Sequence, residues 1–256
     1  MAKSIGKQNT RRLEQFPYEI VIPISANDTA VQLRDTTLML CKAYRIPANK
    51  ISVFLAEKNQ QTEFQSILIP GTFGRIIAGI PVNEIFPVGS QLIFMAPNLT
   101  GFYELTENSR DSIKPLKSLL SVIKLGFYEC EKTGSFLWGI QHIKKKKCLK
   151  LSISHNLKII PNTFYGCVYT GIDSKLKFTE DIERSILYYR QNLVVVRLNM
   201  FGVTSTKETQ ITEREMRNLQ KKYPEYVLLI DTNKGLKLKL RVENSKNLSP
   251  DNKKIT

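Results

Sequence analysis

The chain has 256 residues, of which 42% are apolar and 24% charged; 38 Lys+Arg stand against 23 Asp+Glu, a formal net charge of +15. This length and apolar content supply a real core and exclude disordered and collagen-like classes. No run reads as a membrane-spanning helix: the one charge-free stretch of that length, Ile85 to Tyr103, is interrupted by Pro87, Gly89 and Pro97.

Residues 1–16 form a basic arm with Lys3, Lys7, Arg11 and Arg12. No apolar run follows them, so neither a signal peptide nor an anchor is expected. Tyr18 to Ile24 is dense in β-branched residues and reads as a buried strand. Asp28 or Thr29 then caps a helix whose Leu33, Thr37, Leu40 and Tyr44 share one face. Ile51 to Ala56, Arg75 to Ile80 and Gln91 to Met95 are further apolar runs of strand length. Helical spacing predicts a helix over Ile113 to Thr133, through Leu116, Leu120, Ile123 and Phe127. Phe136 to Ile140, Phe164 to Tyr169 and Val194 to Leu198 read as strands; Thr179 to Arg190 and Glu213 to Lys222 read as helices. Strands alternating with helices predict an α/β fold, a single domain with a mixed, mainly parallel sheet flanked by helices. The expected organisation is an arm over 1–16, a domain over 17–230 and a basic tail over 231–256.

Cys41, Cys130, Cys148 and Cys167 lie far apart with no Cys-x-x-Cys spacing, so reduced thiols in an intracellular, reducing setting and no structural metal site are expected. The charge is concentrated. His142 to Ile160 holds six lysines and no acid, and residues 231–256 hold seven basic residues against three acidic ones. Lys144, Lys145, Lys146, Lys147 and Lys150 are the candidate polyanion contacts, toward acidic protein faces or nucleic acid. The alternative reading is a solvated loop.

The opening Tyr18-Glu-Ile-Val-Ile-Pro-Ile resembles the first strand of GT-A type glycosyltransferases. Leu33-Arg-Asp-Thr-Thr-Leu, Ile46-Pro-Ala-Asn-Lys-Ile-Ser-Val-Phe-Leu-Ala and Gly79 are similar to the nucleotide-binding half of a group from large DNA viruses and phages. That group is related to the dioxygenase-associated enzymes that glycosylate DNA bases. Gly126-Phe-Tyr-Glu-Cys, Leu137-Trp-Gly-Ile, Phe164-Tyr-Gly and Glu180-Asp-Ile-Glu-Arg-Ser-Ile-Leu-Tyr-Tyr continue the resemblance in order. It implies a Rossmann-like GT-A fold and transfer of a sugar from a nucleotide diphosphate, with Mg2+ or Mn2+ held by an acidic triplet after an apolar strand.

The sequence departs from that pattern where the chemistry sits. After Leu92 to Met95 stand Ala96, Pro97 and Asn98, which offer no carboxylate, so the metal site is read as degenerate. Ser25 to Asp28 lacks the expected Arg, Ile80 to Ile85 replaces a longer helix, and Thr206 to Thr212 replaces a Gly-Gly stretch. Glu180 and Asp181 remain as vestigial catalytic candidates, where the resemblance places the general base. The same pair also suits a helix N-terminus. Trp138, Tyr188 and Tyr189 either stack on a ligand or belong to the core; His142 and His155 form no recognisable dyad. The expected function is a degenerate transferase-like domain reused as a structural or binding protein, with no cofactor, plausible in a virion. One alternative is a working transferase that recruits Glu84, Glu104, Asp173 or Asp181 with a nucleotide sugar and metal. Another is a basic nucleic-acid binder.

Overall fold

Strand β1 (Tyr18–Ile24) alternates its apolar side chains between two cores. Ile20, Ile22 and Ile24 enter one and Val21 enters the other. A strand buried on both faces reads as a continuous apolar run, which is why it stands out in the sequence. The computed structural model describes residues 17–106, 113–143, 149–172, 179–206, 211–233 and 235–241. The arm, Lys144 to Lys147, Asp173 and the chain beyond Arg241 lie outside the described residues.

Thr29 caps helix α1 (30–43), its side chain accepting the Gln32 N–H at 3.2 Å; the helix widens into a π-wound turn over Arg34–Leu38. Next come β2 (Ile51–Leu55), α2 (Gln61–Ile67), β3 (Arg75–Ala78), the single turn α3 (Val82–Ile85) and β4 (Gln91–Met95). β5 (Leu99–Glu104) and β6 (Lys114–Pro115) precede α4 (Leu119–Thr133). They are followed by β7 (Leu137–His142), β8 (Ile153–Ser154), β9 (Phe164–Val168), α5 (Glu180–Asn192) and β10 (Val196–Ser205). α6 (Glu213–Lys222) and the strands β11 (Val227–Thr232) and β12 (Gly235–Leu240) complete the described chain.

The sheet order is β3-β2-β1-β4-β9-β7-β10-β5-β6, with β8 beside β10. β3, β2, β1 and β4 pair in parallel, as do β7 and β10, while β9, β5 and β8 run against their neighbours. Among the described residues seven of the ten strands of this sheet therefore point the same way, and the expected mixed, mostly parallel α/β sheet is present. α1, α2 and α4 cover one face around Ile22, Phe64, Val122 and Trp138. α3, α5 and α6 cover the other around Leu92, Tyr165, Ile186 and Leu219.

Three differences from the sequence reading have physical causes. The helix expected from Ile113 begins at Leu119, because Pro115 favours extended backbone before it and Ser118 caps α4 by accepting the Ser121 N–H. The strand expected over Val194 to Leu198 runs to Ser205 by pairing with β5, which the sequence reading omits. The boundary expected at 230/231 falls inside β11: Leu229, Leu238 and Leu240 of the β11–β12 hairpin pack on the second core.

Cys41, Cys130 and Cys167 are free and buried. Burial pushes their thiols up to about 12, about 12 and about 11. A folded-state value raised above the unfolded one stabilises fully below the unfolded value, near 9, and is lost as pH rises toward the folded value. Urea unfolding is therefore expected to give a flat stability to about pH 9 and a decline above it, each thiol contributing a slope of about 1.4 kcal/mol per pH unit. A flat profile through pH 11 would refute this.

Candidate functional site

The chain leaves β1 toward β2 and β3 on one side, then returns to the other side of β1 as β4. In open α/β sheets the crevice at such a switch point, beyond the carboxyl ends of the strands, is where ligands bind. Here that crevice lies between the turn after Ile24 and the turn Ala96, Pro97, Asn98 after Met95.

Both turns are closed by hydrogen bonds. Asp28 Oδ2 accepts the Ser25 N–H (2.9 Å) and the Ser25 hydroxyl (2.7 Å). On the β4 side, α1 presents two hydroxyls from its π-wound turn. Thr37 Oγ1 donates to Ala96 O (2.7 Å) and accepts the Leu99 N–H (3.0 Å), while the Thr36 hydroxyl is shared between Gln32 O (2.6 Å) and Pro97 O (2.9 Å). Asn98 O accepts the Thr206 N–H (3.0 Å), and Thr206 Oγ1 accepts from Gln32 Nε2 (2.9 Å). Pro97 and Asn98 are buried. All three backbone carbonyls of the turn are thus already hydrogen-bonded.

A hard divalent cation requires several oxygen ligands, usually with negative charge. The turn offers no carboxylate, and among the described residues no group of three or more His, Cys, Asp or Glu side chains gathers anywhere. The residues at the β4 turn do not fit the metal that the GT-A resemblance implies. Thr37 is fully buried, so Thr37→Val strands both Ala96 O and the Leu99 N–H. It is expected to cost about 1–3 kcal/mol in thermal unfolding, with Thr37→Ser recovering most of the loss. Equal loss in both variants would assign the effect to packing.

Glu180 and Asp181 open α5, but the structure gives them different surroundings. Glu180 is half-exposed, pairs with Arg184 one turn on at 3.7 Å, and lines a cavity of about 140 Å3 between α5 and the β4–β9 pair. Asp181 Oδ1 accepts the Ile182 N–H (2.9 Å) at the start of its own helix. Burial raises the Asp181 carboxyl above its ordinary value, opposed by the Arg184 charge and the Ile182 N–H. A carboxyl raised in this way is a stronger proton acceptor than a solvated one.

The cavity wall is aromatic. Phe94 and Tyr165 stack at 4.8 Å, and the Arg184 guanidinium lies 3.7 Å from the Tyr165 ring centroid. Arg184 is buried, donates to Asn162 Oδ1 (2.6 Å) and Ile160 O (2.9 Å), and keeps Nε without a hydrogen-bond partner among the described residues. Tyr188 completes the wall, whereas Tyr189 packs on Tyr226. Trp138 is fully buried between Phe127 and Phe164, so it belongs to the core. His142 bonds Ser205 (3.1 Å), and His155 bonds the buried Glu129 (3.0 Å) far along the chain. Glu84 is exposed on α3 and Glu104 is half-buried on β5; among the described residues neither joins an acidic cluster.

The sequence places Thr37 on a helix face and Thr36, Thr37 and Arg184 within the resemblance, but gives none of the three a role at the site. The two threonines stand in a helix whose apolar spacing explains them as filler; their partners are carbonyls about sixty residues away. Arg184 had a usable signal, four residues after Glu180 on one helix face.

No family model matches the chain, and no curated protein matches it. Among solved structures, the crystal structure of S. aureus TarS 1–349 matches with a TM-score of 0.45 and 10% identity over 75% of this chain. The chain spans 60% of the length of that structure. No described helix is long and apolar enough to cross a membrane.

Proposed function

We propose that the chain is a glycosyltransferase-like α/β domain used for binding, without metal-dependent sugar transfer. The observation that carries this reading is the β4 turn, where the oxygens of Ala96, Pro97 and Asn98 are committed to Thr37, Thr36 and the Thr206 N–H and no carboxylate stands in their place. Pyrophosphate departure in such a site lacks the charge stabilisation, several kcal/mol in size, that a bound cation supplies. The surplus of +15 supports association with acidic faces of other proteins in an assembly, of which a virion is the narrowest form.

The competing reading is an active transferase, favoured by one arrangement: Glu180 lines an aromatic cavity and burial raises the neighbouring Asp181 carboxyl. Incubation with labelled nucleotide sugars and Mg2+ or Mn2+ separates the two. The binding reading expects no transfer and no hydrolysis. Turnover that disappears in Asp181→Asn would establish the transferase instead.

A further inference from the structure

Burial lowers the pKa of the Arg197 guanidinium below its ordinary value. It sits half-buried on β10, and no carboxylate lies within ion-pair distance of it among the described residues. Its guanidinium makes one side-chain hydrogen bond, Nε to Asn199 Oδ1 at 2.8 Å. A cation taken partly out of water without a counter-charge is costly, so its setting matters.

The setting is a set of donors. Asn199 is buried, and its Nδ2 donates to Ser154 Oγ (2.8 Å) and Ser152 Oγ (3.2 Å). Both serine oxygens therefore act as acceptors toward Asn199, which leaves each hydroxyl hydrogen to point elsewhere. Ser154 is the direct cross-strand partner of Arg197, so the two side chains lie side by side on one face. The Lys150 N–H bonds Asn199 O (3.0 Å), so the backbone of Lys150, whose exposed side chain is one of the candidate cations, adjoins the same corner. Ser152 is exposed, so the corner opens to solvent. An arginine fork, two hydroxyls and an ammonium, with no acid among them, suit a tetrahedral oxyanion.

We propose that Arg197, Ser152, Ser154 and Lys150, organised around Asn199, form a binding site for a phosphoryl group. The site lies away from the β4 turn and stands whether or not that turn supports catalysis. Free phosphate and the phosphates of a nucleic acid share this chemistry, and the test has an arm for each.

The full chain is titrated with inorganic phosphate and, separately, with a short single-stranded DNA, following backbone and arginine Nε resonances by NMR. Phosphate is expected to shift Ser152, Ser154 and Arg197 selectively, and Arg197→Met to weaken binding about tenfold. Asn199→Asp is a second variant that does not depend on tolerance of Arg197→Met. It supplies the guanidinium with an internal carboxylate and is expected to lose phosphate binding while raising the melting temperature. If DNA is the source, it binds more tightly than phosphate with the same residues shifted, and Arg197→Met lowers the salt slope by about one. Equal strength for both ligands assigns the site to free phosphate. Shifts spread over surface lysines, or affinity unchanged in both variants, would overturn the site.

Discussion

Gly126→Ala is expected to destabilise the protein by at least about 3 kcal/mol, near the upper end of overpacking effects. A Cβ built on Gly126 would meet the Trp138 ring at 2.2, 2.4 and 2.5 Å. The ring cannot retreat, because Gly166 holds its opposite side: a Cβ there would stand 2.3 Å from Trp138 Nε1. Phe127 and Phe164 close the remaining sides at 5.7 and 5.8 Å between ring centroids. The indole thus fits a slot between α4 and β9 that two glycines create. Trp138→Ala should cost about 3–5 kcal/mol through the cavity it leaves. The smaller Trp138→Phe should partly rescue Gly126→Ala, giving a non-additive cycle in urea unfolding. Additive losses would mean that the ring and the glycine do not share this slot.

The second large effect is expected at Glu183, which is 1% exposed on α5. Its carboxylate accepts from Tyr223 OH (2.8 Å) and from Lys222 Nζ, both at the end of α6. These bonds, with Leu219 and Val227 in the second core, attach α6 and the β11–β12 hairpin to the helix that carries Glu180 and Asp181. Glu183→Ala removes the shared acceptor and leaves a buried phenol unpaired, at a cost of about 3 kcal/mol. Amide exchange should accelerate across residues 211–241 well before the central strands respond. Uniform acceleration through β1 and β4 would show that the attachment is inseparable from the global fold.

What could be read from the sequence follows from how each element is buried. β1 and β4 are enclosed on both faces, so their apolar runs carry their own boundaries, and Glu213 to Lys222 is bounded by the Thr212 capping box and Pro224. β12 hid in plain composition: Gly-Leu-Lys-Leu-Lys-Leu adds charge to a tail when counted, but as a strand it alternates exposed lysines with packed leucines. The loss of carboxylates at Ala96 to Asn98 was legible because it concerns side chains in a row. The closing of that turn was not, since Thr36, Thr37 and Thr206 reach it from distant segments and bond backbone oxygens. Arg197 was equally silent, because its lack of an acidic neighbour among the described residues is a property of three strands brought together and not of any spacing.

The most direct test of the account is electron paramagnetic resonance of Mn2+ titrated into the full chain, with and without a nucleoside diphosphate. A sealed, carboxylate-free β4 turn predicts that the protein leaves the Mn2+ signal unchanged, beyond what the nucleotide alone produces. Stoichiometric loss of the free signal, one ion per chain and abolished by Asn98→Ala, would contradict it.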